Sequence, residues 1–78
     1  SEKEKINNQI ITDQKLIVIQ ERIVRTYSSQ LDNGVIKSTD YTSELNKLMQ
    51  NKLNLEIHKI QLLQLEIESA IEKGQVCT

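Results

Sequence analysis

The side chains of this chain that could do chemistry are few and scattered. The single histidine, His58, lies between Ile57 and Lys59, and the single cysteine, Cys77, is the next-to-last residue. A nucleophilic site needs a hydroxyl or thiol beside a base that is itself oriented by a third group. Ser28, Ser29, Ser38, Ser43 and Ser69 have no histidine at helical spacing, and no catalytic constellation can be written. One histidine and one cysteine do not supply the four ligands of a structural zinc site or the three of a catalytic one, and a lone thiol closes no internal disulfide. The expectation is a protein that is not an enzyme and has no catalytic, cofactor-binding or metal-binding residues. His58 is then read as a solvated or seam-edge residue bonding a carboxylate such as Glu56 or Glu66 of a neighbouring chain, and Cys77 as a flexible terminal thiol.

Charge narrows the class further. Ten Lys and Arg against eleven Asp and Glu leave a net charge of -1, without the basic footprint that neutralises phosphates, so no nucleic-acid partner is expected. No apolar run of about 18 residues is present, and Ser1-Glu2-Lys3-Glu4-Lys5 has no apolar signal region. The segment itself is expected to make no membrane contact. Most Glu and Lys form a solvated face, while the many Asn and Gln offer register-fixing seam amides, a wet lumen lining or an ordinary polar surface.

The elements that carry these groups read as two long helices. Among 78 residues there is no proline, and only Gly34 and Gly74 punctuate the chain. In the first half Ile6, Ile10, Ile17, Val24, Tyr27 and Leu31 follow one ladder of alternating four and three steps, with Asp13 and Gln20 on its missing rungs; this spacing is helical. A second ladder, Thr12, Leu16, Ile19, Ile23, Thr26 and Gln30, lies about 100° round the same helix. In the second half Tyr41, Leu45, Leu48, Lys52, Leu55, Lys59 and Leu62 form one ladder, and Met49, Leu53, Glu56, Ile60, Leu63, Ile67 and Ala70 the other.

Between the halves, Asn33-Gly34 provides the left-handed stop, Ser38 or Thr39 an N-cap, and Asp40 an anion at the positive end of the helix dipole. The predicted fold is all-α: a long antiparallel two-helix hairpin of coiled-coil type, with helices over about 3–31 and 39–73, a turn over 32–38 and a frayed tail over 74–78, all one unit. The packing seams are assigned to Ile10, Ile17, Val24, Leu45, Leu48, Leu53, Leu55 and Ile60, with Val24 opposite Leu45, Ile17 opposite Leu53, and Ile10 opposite Ile60. A hairpin needs one seam per helix. Two per helix predict neighbours on two sides, so the chain is expected to self-associate into a dimer or bundle.

The turn also carries two adjacent aliphatics, Val35 and Ile36, where the core of a rod has run out. They either dock a partner or fold back over Leu31 and Tyr41. The segment from Tyr27 through Gly34 to about Glu68 resembles the C-terminal helical hairpin of TolC-like outer-membrane efflux proteins. The resemblance rests on Asn33-Gly34-Val35-Ile36-Lys37-Ser38-Thr39-Asp40-Tyr41 at the turn, on leucines at 48, 55 and 63 with Lys52 between them, and on the Asn54-Leu55-Glu56 block. The chain departs from the family pattern at Leu31, Thr42 and Glu44, where an aromatic, a leucine and an alanine are usual.

The resemblance implies a fragment of an efflux duct in the cell outer membrane of a bacterium, this hairpin lying in its periplasmic portion. The full-length parent would be a homotrimer forming a periplasmic α-helical barrel. The hairpin tip, Asn33, Gly34, Val35, Ile36, Lys37 and Ser38, would dock a periplasmic adaptor protein linked to an inner-membrane pump. No alternating segment of the length of a barrel strand is present, so the outer-membrane barrel itself lies outside this chain. The competing expectation is a generic antiparallel coiled-coil scaffold without a transport role.

Overall fold

The computed structural model describes residues 1–72 and 74, and within them the chain is two long helices joined by a short turn, an all-α antiparallel hairpin. Helix α1 spans Glu2–Asp32 and α2 spans Ser38–Glu72, 31 and 35 residues, or about 46 and 52 Å at 1.5 Å per residue. The expected frayed tail, with Cys77, and the last expected residue of the second helix lie outside the described residues, apart from Gly74. That glycine has φ +68° and its N–H donates to the Ile71 carbonyl.

Each end of the turn has an identifiable device. At the close of α1 the Gly34 N–H donates to the Leu31 carbonyl at 3.0 Å and the Val35 N–H to the Gln30 carbonyl at 2.9 Å. With Gly34 at φ +71°, this is the Schellman arrangement, in which a left-handed glycine lets two following amides satisfy carbonyls that the helix leaves open. The opening of α2 differs from expectation. Helix α2 already includes Ser38 and Thr39, so Lys37 occupies the cap position, and the Asp40 carboxylate reaches back to accept from the Lys37 N–H at 3.1 Å. This is the second half of a capping box; it works because Asp40 stands three residues beyond the cap, where a carboxylate reaches the free amide.

The hairpin is a thin board, 61 × 22 × 13 Å, with a radius of gyration of 18.3 Å. A compact chain of this length would have about 11.5 Å. Its accessible surface is 6004 Å², roughly 1,100 Å² more than a compact monomer of its mass exposes. The thickness is that of a single helix, so each helix has the other on one side only. Among the described residues Val24 and Leu48 are the most buried apolar ones, and no large side chain is completely enclosed.

In α1 the covered face is the expected one: Ile6, Ile10, Asp13, Ile17, Gln20, Val24, Tyr27 and Leu31 are all buried or half-buried. In α2 the covered face runs Tyr41, Glu44, Leu48, Asn51, Leu55, His58, Leu62, Leu65 and Ser69, alternating three and four steps. The predicted ladder shares Tyr41, Leu48, Leu55 and Leu62 with it but alternates four and three, which would have put Lys52 and Lys59 in the seam. Both lysines are exposed, and Leu45 is half-buried beside the seam. Leu53 and Ile60, expected opposite Ile17 and Ile10, are 53% and 57% exposed on the outer face. The physical reason is polar matching. Turning α2 to the observed phase keeps unpaired ammonium groups out of the seam and brings His58 and Glu44 to Asp13 and Gln20.

Candidate functional site

Three features could act: the polar layers of the seam, the hairpin tip, and the apolar faces left uncovered. The polar layers are built by the two residues that interrupt the apolar ladder of α1. Asp13 and Gln20 are each only 8% exposed, and a buried polar group without a partner costs about 1–3 kcal/mol. Both are paired across the seam. The Asp13 carboxylate bonds the His58 ring at Nδ1. His58 thus takes a carboxylate of its own chain's first helix, where Glu56 or Glu66 of a neighbouring chain was expected. Glu56 instead accepts from Lys59 of its own helix at 3.5 Å.

The second layer is wider. Gln20 Nε2 donates to the Glu44 backbone carbonyl at 3.0 Å and to its carboxylate at 3.2 Å, while Lys47 Nζ donates to the other carboxylate oxygen at 3.0 Å. The Lys47 and Gln20 bonds hold the Glu44 carboxyl below its ordinary value near 4.5, partial burial opposing them. Among the described residues no buried side-chain nitrogen or oxygen lacks a partner. Among the described residues no three His, Cys, Asp or Glu side chains converge as a metal site, and no helix is long and apolar enough to cross a membrane. What the layers do is fix which residues of α2 face α1, and so which face outward.

The tip divides its two aliphatics. Val35 is 69% exposed, while Ile36 is half-buried, as are Leu31 and Tyr41 on either side. The fold-back reading thus fits Ile36, and Val35 alone remains a free apolar contact. Of the other assigned tip residues, Asn33 continues the cap with its N–H donating to the Ser29 carbonyl at 3.1 Å, Gly34 makes the turn, and Asn33, Gly34, Lys37 and Ser38 are all exposed.

The uncovered faces are the larger surface. In α2, Met49, Leu53, Ile57, Ile60, Leu63, Ile67 and Ile71 are exposed, all within an arc of about 120° at 100° per residue. Counted on the seven-residue repeat of the seam, the ladder through Met49 and Leu53 lies about 155° from the face that meets α1. The two faces of α2 are therefore nearly opposite, where the predicted phase set them about 100° apart. In α1 the exposed apolar residues are Ile11, Leu16, Val18 and Ile19, and Ile11, Val18 and Ile19 line a shallow groove with Gln14 and Lys15. No family model, curated protein or solved structure matches the chain.

Proposed function

We propose that this hairpin is a stave in the wall of a TolC-like outer-membrane efflux duct, packing edge to edge with neighbouring helices in the periplasm and docking an adaptor protein through its tip. The observation that carries the reading is the opposition of the two apolar faces of α2. A helix in a closed ring meets its neighbours along two lines separated by 180° less the turn that closes the ring. A separation of about 155° leaves about 25° per helix, which closes with on the order of a dozen helices. A compact bundle needs faces much closer together. The thin board shape and the outward Val35 support the same reading, as does the resemblance at the turn. No step of catalysis is involved; the duct would act by packing and docking.

The test is Val35→Asp in the intact parent. Val35 is exposed and follows the turn glycine, so the charge should leave helicity and assembly in place while drug export falls at least about tenfold, the cost of placing a charge in an apolar contact. Normal export by a correctly assembled Val35→Asp protein would overturn tip docking.

A second reading, an antiparallel coiled-coil scaffold, draws on the polar layers, because Asp13–His58 and Gln20–Glu44 fix the register of the hairpin without outside help. The parent reading frame separates the two. A duct requires strand segments and a second hairpin elsewhere in the frame; a frame lacking both would leave the scaffold.

A further inference from the structure

The exposed apolar residues of α2 have a symmetry of their own. Counted from Ile60, Ile57 and Leu63 lie three residues to either side, Leu53 and Ile67 seven, and Met49 and Ile71 eleven. Every exposed large apolar residue of the helix belongs to this set. A stripe that reads the same in both directions meets its own copy residue for residue when one copy is turned by 180° about an axis through its centre, which is the condition for an isologous two-fold interface.

We infer that the outer face of α2 binds a second copy of this chain, antiparallel, with the two-fold axis at Ile60. Met49 of each copy then lies level with Ile71 of the other, Leu53 with Ile67, and Ile57 with Leu63, and no apolar member of the stripe is set against a charge from the same series. The one charged rung on the ladder, Glu56, is already bonded to Lys59 of its own helix. Lys52 and Glu66 lie on the same flank of the stripe, eight residues before and six after Ile60. The two-fold therefore brings Lys52 of each copy within one helical turn of Glu66 of the other, an attractive pair made twice, and on the same flank sets the two Lys59 side chains beside the axis, each ammonium paired with Glu56 of its own helix. The stripe extends over 23 residues from Met49 to Ile71, about 33 Å, long enough for a continuous helix-on-helix contact. The resulting assembly is a four-helix layer with the two α2 helices inside and the tips at opposite ends.

This inference concerns the chain by itself and gives to a second copy the outer face of α2 that the duct reading gives to a neighbouring helix of a larger protein. The experiment uses the full chain with Cys77→Ser and a single new cysteine. Ile60→Cys places two thiols at the axis, within disulfide reach of each other, and mild oxidation should convert most of the protein to a cross-linked dimer. Val18→Cys, on the outer face of α1, should give at least about tenfold less. Sedimentation equilibrium provides the second measurement: Ile60→Glu should raise the dimer dissociation constant at least about 100-fold while the helical signal persists. Cross-linking of Ile60→Cys no greater than that of Val18→Cys, or an unchanged dissociation constant for Ile60→Glu, would overturn the two-fold. Efficient cross-linking between Leu53→Cys and Val18→Cys chains in a mixture, with none through Ile60→Cys, would also overturn it while favouring the head-to-tail packing of a duct wall, so failure here and failure of the duct reading are told apart.

Discussion

Leu48 and Leu53 stand five residues apart on the same helix, and replacing each by alanine tests the phase of the seam. Complete burial of a leucine is worth about 1.5–3 kcal/mol by area, and Leu→Ala in well-packed cores costs 2–5 kcal/mol. Leu48 is 8% exposed in a seam that encloses no side chain fully, which places Leu48→Ala in the lower part of that range, about 2–3 kcal/mol. Leu53 keeps 53% of its surface in water, so Leu53→Ala should cost the isolated hairpin less than about 1 kcal/mol. In a chain of this size 1 kcal/mol moves the melting temperature by about 4–8 °C. Thermal melts followed by circular dichroism at low micromolar concentration should therefore separate the variants by at least about 4–8 °C. A stabilising osmolyte can bring the Leu48→Ala transition into range. Repeating the melts at a hundredfold higher concentration adds a second criterion, because the outer stripe is covered only in the assembly: the Leu53→Ala deficit should grow with concentration and the Leu48→Ala deficit should not. Equal losses at low concentration would mean that Leu53 packs against α1, and the argument from polar matching would fail.

Three further outcomes follow from the turn and the seam layers. Gly34→Ala meets no atom within 4 Å at its new Cβ, so its cost is purely conformational, about 1–2 kcal/mol for a left-handed residue; D-alanine at the same position should instead raise the melting temperature, since it lowers unfolded-state entropy without strain. A double-mutant cycle of Asp13→Ala and His58→Ala should show a coupling of about 0.5–3 kcal/mol, and additive losses would mean that the pair does not interact. Because the Glu44 carboxyl is held below its ordinary value, its contribution is complete above pH 4.5 and is lost as the pH falls through the lower folded value; Glu44→Gln should destabilise the hairpin at pH 7 and lose that deficit near pH 2, as melts at the two pH values would show.

The two-helix architecture was legible because it rests on local signals. Gly34 supplies the left-handed turn, no proline interrupts either run, and the ladder of α1 identified its covered face, including the rungs held by Asp13 and Gln20. The phase of α2 was not legible from its apolar residues. Tyr41, Leu48, Leu55 and Leu62 belong to both candidate ladders, so leucine counting could not separate Leu45, Lys52 and Lys59 from Glu44, Asn51 and His58. The deciding signal lay on the other helix: two polar rungs in the apolar ladder of α1 require polar partners in the facing ladder of α2, and Glu44 and His58 supply them, on the ladder that also holds Asn51. That single step also decides how far apart the two apolar faces of α2 stand. At the tip, the neighbours Val35 and Ile36 looked alike in sequence, and only the backbone path after Gly34 turned one outward and half-covered the other.

The claim that the hairpin is a duct stave with a docking tip is tested most directly by a photo-crosslinking residue at position 35 of the intact parent in living cells, with one at position 18 as the control. The duct reading predicts that position 35 captures a periplasmic adaptor, identified by mass spectrometry, and that position 18 captures neighbouring helices of the parent assembly. Capture of the adaptor at neither position, with the parent assembled and exporting, would contradict it.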